Sequence, residues 1–185
     1  SLTKPVGTTI AVMSLVERRL ISLDAPLGRY LKEFQGKHFD EITIRRLLTH
    51  SAGLGEYPAN STVAAGFPTA AQRIAKLPLD YPPGSSFQYS DTGFILLGEV
   101  VRRVTGTPLD RYLDRLLFRP LGLTDTTFQP RAGTLSRVAP TEFANGHMLR
   151  GDPHDPRARL LGGVAGHAGI FSTAADLTQI CRLLL

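Results

Sequence analysis

The chain has 185 residues, 42% of them hydrophobic and 20% charged, with a formal net charge of +5. This length accommodates one domain with a buried core, and the ordinary composition excludes a low-complexity or repeat protein. The basic residues form no runs and are not interleaved with aromatic residues, so we predict no nucleic-acid partner, and no stretch is long enough for an integral membrane segment.

The first predicted element is an amphipathic helix over residues 6–20. Its apolar residues recur at spacings of three and four, at Val6, Ile10, Met13, Val16 and Leu20. Pro5 lies in its first turn, where a missing N–H costs least. A short second helix is predicted over residues 27–34. An N-capped helical turn over residues 42–50 then leads into a loop whose glycines suit positive φ.

Four more helices are predicted further along the chain, over residues 69–77, 93–105, 109–118 and 174–185. Gly106 supplies the stop after the helix at 93–105, and Ser172 or Thr173 caps the last helix. Residues 121–165 are rich in Pro, Gly and Thr and are predicted to be mainly loop with short extended pieces. A long irregular stretch in a compact domain is usually functional.

The first four residues, Ser1-Leu2-Thr3-Lys4, carry a hydroxyl and an amine three positions apart. If they open a helix, the two groups lie on one face and can approach each other. A serine beside a possible base is what acyl transfer through a serine requires. An N-cap serine followed by a surface lysine gives the same spacing, so this motif alone leaves both interpretations open.

A second stretch, residues 87–93, forms a turn just before the helix predicted over residues 93–105. Tyr89 offers a phenol there, and Asp91 offers a carboxylate at a helix N-terminus, where the helix dipole favours negative charge. Taken alone, Asp91 is equally well explained as an N-cap, and Tyr89 as ordinary packing.

A third stretch, residues 162–173, is dense in glycine and contains His167 and Gly169. Glycines at this density let the backbone approach a partner or a ligand closely. This region and the segment before it supply five residues of metal-ligating type, which are His147, Asp152, His154, Asp155 and His167. None of their pairs has the helical spacing of a zinc hydrolase, so we predict no metal and no cofactor.

Five motifs follow one another along essentially the whole chain. They are S-L-T-K, then L-L-T-H-S-A-G-L, then P-P-G-S-S-F-Q-Y-S-D-T-G-F-I-L-L-G, then A-P-T-E, and finally H-D-P-R-A with L-G-G-V-A-G-H-A-G-I-F-S-T-A-A-D-L. This ordered set closely resembles the serine β-lactamase-like family, which includes class C β-lactamases, D-alanyl-D-alanine carboxypeptidases and related carboxylesterases.

The resemblance implies an α+β fold, in which a helical subdomain packs on an antiparallel sheet as a β-lactamase/DD-peptidase-like αβα sandwich. The piece present is expected to be mostly helical, with most sheet strands outside this chain. We interpret residues 1–185 as a single partial domain. It starts at the S-x-x-K helix and ends before the third active-site motif of the family.

The resemblance also implies roles for individual residues. Ser1 would be the nucleophile, Lys4 its proton acceptor and Tyr89 the acid or base near the leaving group. Asp91 stands where many relatives have asparagine. The segment beginning with His167, His-Ala-Gly, imitates the family's third motif, a Lys or His followed by Ser or Thr and Gly. It matches the segment that precedes that motif in relatives, so we give His167 and Gly169 only supporting roles.

The implied reaction is hydrolysis of esters, β-lactams or D-Ala peptides through an acyl-enzyme. Lys4 would have to be neutral to accept a proton, although the reference pKa of lysine is about 10.4. Two donors must stabilise the oxyanion, and the resemblance implies the Ser1 amide and an N–H from a strand beyond this chain. We therefore expect little turnover from this piece alone. A bacterial periplasmic or secreted location is favoured, with a small-molecule or peptidoglycan-type acyl substrate.

Two other functions fit the same sequence. In an N-terminal-nucleophile hydrolase, the free α-amine of Ser1 would be its own base, and an N-terminal extension would remove activity. In a non-catalytic binding or scaffolding descendant of the family, no covalent adduct would form with a fluorophosphonate or a penicillin. An α/β-hydrolase is disfavoured because the chain has no G-x-S-x-G motif.

Overall fold

The computed structural model describes residues 1–144 and 146–185. This part of the chain is mostly helical and contains one two-stranded sheet, which confirms the helical character expected from the sequence. In chain order the helices are α1 (Thr9–Glu17), α2 (Ile44–Leu48), α3 (Asn60–Val63), α4 (Thr69–Ile74), α5 (Asp91–Thr105), α6 (Leu109–Leu113), α7 (Pro156–Leu160) and α8 (Ala174–Leu184). The strands β1 (Pro140–Ala144) and β2 (His147–Arg150) form an antiparallel hairpin.

Short turns extend this framework. A single π-helical turn, Lys4–Thr8, runs directly into α1, and another, Asp114–Phe118, continues α6. The predicted helix over residues 27–34 is instead two 3-10 turns, Leu27–Arg29 and Lys32–Phe34. Further 3-10 turns lie at Lys37–Phe39 and at Ala132–Arg137. No helix in the described part of the chain has the length and apolar character needed to cross a bilayer.

The buried helix α5 organises the core. Its inner residues are almost completely inaccessible, and they include Phe94, Ile95, Leu96, Leu97, Val100 and Val101. The Ser90 hydroxyl caps the helix by accepting a hydrogen bond from the Gly93 amide at 3.1 Å. Asp91 is therefore the first residue inside the helix, which corrects its interpretation as the N-cap. The predicted stop is confirmed, since Gly106 adopts a left-handed conformation with φ of 65°.

The apolar face predicted for the first helix is only partly correct. Met13 and Leu20 are 42% and 47% exposed, and three other predicted residues are only partly buried against the core, namely Val6, Ile10 and Val16. The helical segment also begins earlier, at the π-helical turn, and α1 ends at Glu17. Its fully buried residues are Thr8, Ala11, Val12 and Leu15, a set that includes polar and small side chains, which a periodicity of large apolar residues does not detect.

Other expectations hold with changed limits. The turn predicted at residues 42–50 is α2, and the Thr43 hydroxyl caps it by accepting from the Arg46 amide at 3.2 Å. The helix predicted at residues 69–77 is the shorter α4. Thr173 caps α8 by accepting from the Asp176 amide, which decides between the two candidate caps. The sequence analysis missed α3 and α7, which are too short to develop a period.

The glycine-rich segment 162–173 lies directly against α5. At Gly166 a Cβ atom would stand 2.0 Å from the Phe94 carbonyl oxygen, so only glycine allows this approach. On its other side, the same residue's carbonyl accepts a hydrogen bond from the Thr8 hydroxyl at 2.6 Å. The segment thereby joins α5 to the beginning of the first helix, which is where the predicted site residues meet.

Candidate active site

The Lys4 ammonium is the centre of the site. Lys4 is only 3% exposed, and its Nζ lies 2.6 Å from the Tyr89 oxygen and 2.6 Å from Asp91 Oδ1. A third and longer contact of 3.4 Å reaches the carbonyl oxygen of His167. These three acceptors use all three N–H groups of an ammonium, so the buried cation is fully satisfied. The structure thus brings together Lys4, Tyr89, Asp91 and the backbone of His167.

Two threonines fix the backbone that carries Lys4. The Thr3 hydroxyl accepts a hydrogen bond from the Ile170 amide at 3.1 Å, and the Thr8 hydroxyl donates to the Gly166 carbonyl. Both threonines are buried. Because these bonds flank the π-helical turn, they hold it against the segment that also supplies the His167 carbonyl.

Tyr89 and Asp91 lie on either side of the residue that caps α5. Asp91 is 6% exposed, and its amide donates to the Glu56 carbonyl at 2.7 Å. Its carboxylate sits at the N-terminus of α5, where the helix dipole favours negative charge. Tyr89 is 39% exposed, so its ring faces solvent while its oxygen accepts from Lys4. The phenol is therefore the member of this group that a bound molecule reaches first.

Ser1 is exposed and begins the helical turn that carries Lys4. Its carbonyl oxygen accepts a hydrogen bond from the Lys4 amide at 3.2 Å, as expected for a turn over S-x-x-K. Within residues 1–144 and 146–185, the Ser1 hydroxyl makes no hydrogen bond. Contact between this hydroxyl and the Lys4 amine stays a prediction.

A buried histidine–carboxylate pair supports the His167 backbone. His167 is completely buried, and its Nε2 lies 2.8 Å from Asp155 Oδ1. Asp155 also caps α7 by accepting from the Ala158 amide at 2.7 Å. Burial by itself raises the pKa of Asp155, but the hydrogen bond and charge of His167, the Ala158 amide and the charge of Arg157 together hold it well below its usual range.

Gly169 allows the glycine-rich segment 162–173 to fold back on itself. Its φ is +127°, and a Cβ there would lie 2.4 Å from the Gly163 carbonyl oxygen. Any larger residue would therefore push the two parts of the segment apart. Its supporting role is consistent with a backbone that must fold back tightly enough to bring the carbonyl of His167 to Lys4.

The five residues of metal-ligating type do not form one group. Asp155 and His167 are paired, whereas His154 lies on the hairpin side with Nε2 at 3.5 Å from Glu142. Asp91, Asp155 and His167 each offer a donor atom within 4.8 Å of the others, a spacing that would allow a metal ion. The Lys4 ammonium already neutralises Asp91, so a cation there would have to displace it. The absence of a metal stays a prediction.

One residue of the site had no assigned role in the sequence analysis. His50, the histidine of L-L-T-H, accepts the Ser90 amide on Nδ1 at 3.0 Å, and its ring lies 4.6 Å from the Tyr89 ring. Burial, and then the Lys4 charge, lower the pKa of His50 below its ordinary value. The position of His50 at the end of the predicted helical turn could have marked it as a candidate site residue. Nothing in the local sequence indicated its contact with residues forty positions away.

Comparisons with known proteins identify the family of this chain. The family model described as Beta-lactamase matches residues 1–185. Over 99% of its length, the chain is 33% identical to a protein named putative D-alanyl-D-alanine carboxypeptidase from Escherichia coli (strain K12), and the match covers 49% of that protein. A protein of the same name from Salmonella agona is 31% identical, again with 49% covered. The chain spans about half the length of the curated relatives it matches.

Solved structures resemble the chain over its whole length. A β-lactamase/D-alanine carboxypeptidase from Yersinia pestis, complexed with citrate, superposes on all of the chain with a TM-score of 0.75 at 23% identity, and 52% of that protein is covered. FmtA from Staphylococcus aureus gives a TM-score of 0.80 at 20% identity, with 98% of this chain and 50% of FmtA covered. These likenesses confirm the expected β-lactamase/DD-peptidase fold.

Proposed function

This chain belongs to the beta-lactamase family, and from that premise we propose that the whole protein is a serine hydrolase that works through an acyl-enzyme. The observation that carries the proposal is the buried Lys4 amine, with Tyr89 and Asp91 both 2.6 Å from it, one helical turn after Ser1. A structural ion pair needs only the carboxylate. The partly exposed phenol on the same amine is what a proton transfer to a bound substrate requires.

In the proposed reaction, the Ser1 hydroxyl oxygen bonds to the acyl carbon of the substrate. Its proton passes to the Lys4–Tyr89 pair. For this to happen, Lys4 must first have lost the third ammonium proton that it carries in the site described above. The pair then returns that proton to the leaving group as the bond from the acyl carbon breaks. Water removes the acyl group from Ser1 by the same steps in reverse.

Asp91 opposes the loss of that proton. A carboxylate 2.6 Å from an amine stabilises the ammonium form, whereas the proposed reaction requires the neutral amine. The asparagine that many relatives carry at this position would leave the amine without a counter-charge.

The proposed function itself is tested by transient kinetics. The whole protein mixed with p-nitrophenyl acetate should release about one equivalent of nitrophenol per protein before a slower steady rate, and Ser1→Ala should abolish both phases. If Ser1→Ala leaves the rate unchanged, the mechanism is wrong. If neither protein reacts with esters, penicillins or fluorophosphonates, the non-catalytic alternative is correct.

We propose D-alanyl peptides as the first substrates to test, because the curated relatives at 31–33% identity carry the name D-alanyl-D-alanine carboxypeptidase. EstCE1, a solved hydrolase with promiscuous acyltransferase activity, is 25% identical and superposes with a TM-score of 0.75, with 57% of EstCE1 covered. This likeness supports including simple esters in the same panel. The bacterial origin of the curated relatives supports a periplasmic or secreted location.

A further inference from the structure

We propose that His50 is the positioning residue for Tyr89, and that it acts as a neutral imidazole with its proton on Nε2. The inference deepens the proposed function, on which its kinetic test rests. Its structural test does not require turnover. His50 contacts the backbone on both sides of Tyr89 and the Tyr89 ring, and one of its hydrogen bonds fixes the protonation state of the imidazole.

The two amides that flank Tyr89 both donate to His50. The Gln88 amide donates to the His50 carbonyl oxygen at 2.9 Å, and the Ser90 amide donates to His50 Nδ1 at 3.0 Å. Alternate N–H groups of an extended chain point to the same side, and Ser90 is extended. His50 thus holds the backbone on both sides of Tyr89, from the side to which both amides point.

The imidazole ring also contacts the phenol ring. The ring centroids of His50 and Tyr89 are 4.6 Å apart with the planes tilted by 31°, and Phe94 lies 5.2 Å from the same imidazole. Lys4 Nζ stands 4.6 Å from the Tyr89 ring centroid and 5.7 Å from that of Phe94. The imidazole and the amine therefore contact the same pair of aromatic rings, so displacement of His50 would change the direction in which Tyr89 presents its oxygen to Lys4.

The conformation of His50 itself is unusual. Its φ is +56°, a left-handed value that a residue with a side chain rarely adopts. The residue follows α2, and its carbonyl accepts a second hydrogen bond from the Tyr81 hydroxyl at 3.3 Å. Such a conformation persists only where the surroundings enforce it, and it concentrates at functional sites. Here it lets one residue present a carbonyl and a ring nitrogen to the same segment.

The bond from the Ser90 amide requires a lone pair on Nδ1, which a protonated imidazole does not have. The groups facing the ring are Lys4, Asp91 and Tyr89. Burial and the Lys4 charge lower the pKa of His50, against a smaller opposing effect of Asp91. A lowered pKa in the folded protein means that this contribution to stability is complete above about pH 6.5 and is lost as the pH falls toward the folded value. Acidification should therefore release Ser90 and Tyr89.

Two substitutions of His50 distinguish the loss of the acceptor for the Ser90 amide from a change in the left-handed backbone conformation. Asparagine and glycine both tolerate positive φ, but only His50→Asn retains an acceptor for the Ser90 amide. In the whole protein, His50→Gly is expected to lower kcat about 100-fold with a much smaller change in KM, because a misplaced proton-transfer group costs rate rather than binding. His50→Asn should retain kcat within about tenfold. The part of the fall in kcat at low pH that comes from protonation of His50 should disappear in this variant.

The structural test is nitrogen-15 NMR of the whole protein. The proposal predicts a neutral His50 with the proton on Nε2 at pH 7, and exchange of the Ser90 amide that is accelerated in His50→Gly but close to wild type in His50→Asn. A proton on Nδ1, or equal Ser90 exchange in all three proteins, would overturn the proposal. If His50→Gly does not fold, two results still test the proposal: the tautomer of His50 in the wild type and the exchange rate of the Ser90 amide in His50→Asn. If the protein proves inactive, these same signals still test the positioning.

Discussion

Lys4→Met is expected to lower kcat/KM of the whole protein by at least about 1,000-fold and to reduce the free energy of unfolding by about 3 kcal/mol. Methionine keeps the apolar stem but removes all three donors. The rate falls because Ser1 loses its proton acceptor. Stability falls because Asp91, which is 6% exposed, is left as a buried carboxylate without its cation. Ester kinetics and urea unfolding measure the two effects.

A double variant separates the two consequences. Adding Asp91→Asn to Lys4→Met removes the unpaired charge, so it should recover most of the lost stability and none of the lost activity. Lys76→Met, at an exposed lysine, is the matched control and should change neither quantity appreciably. Activity within about tenfold of wild type in Lys4→Met would exclude the amine from proton transfer.

Tyr89→Phe should lower kcat by about 100-fold to 10,000-fold and change the free energy of unfolding little. The phenyl ring keeps its contact with His50, while the oxygen that accepts from Lys4 is lost. A partly exposed hydroxyl contributes little to stability because water replaces its partner. Tyr57→Phe removes another exposed phenol and serves as the control. A normal kcat in Tyr89→Phe would assign the proton transfer to Lys4 alone.

Local sequence patterns predicted much of the fold. The helix α5, its stop at Gly106 and the caps of α2 and α8 follow from short-range rules of spacing and capping, and these expectations were met. The inward face of the first helix was not predictable in the same way. That face combines Val12 and Leu15 with Thr8 and Ala11, so no regular pattern of large apolar side chains marks it.

Three residues of the candidate site were predicted from motifs, but most of their contacts were not. Lys4, Tyr89 and Asp91 were named from motifs, and the structure joins them through one amine. The ion pair of Lys4 with Asp91 was not foreseen, because a carboxylate near a helix N-terminus is equally well used as a cap. The pairing of His167 with Asp155 depends on a backbone path through two left-handed glycines, Gly162 and Gly163, which spacing along the chain does not reveal.

The central claim is that Ser1 carries the acyl group beside the amine and the phenol. The most direct measurement is peptide mass spectrometry of the whole protein quenched after brief mixing with a slowly hydrolysed acyl donor, such as a penicillin. We expect one added acyl group, located on the peptide that contains Ser1 and absent from Ser1→Ala. An acyl group on any other residue, or turnover with Ser1 unmodified, would contradict it.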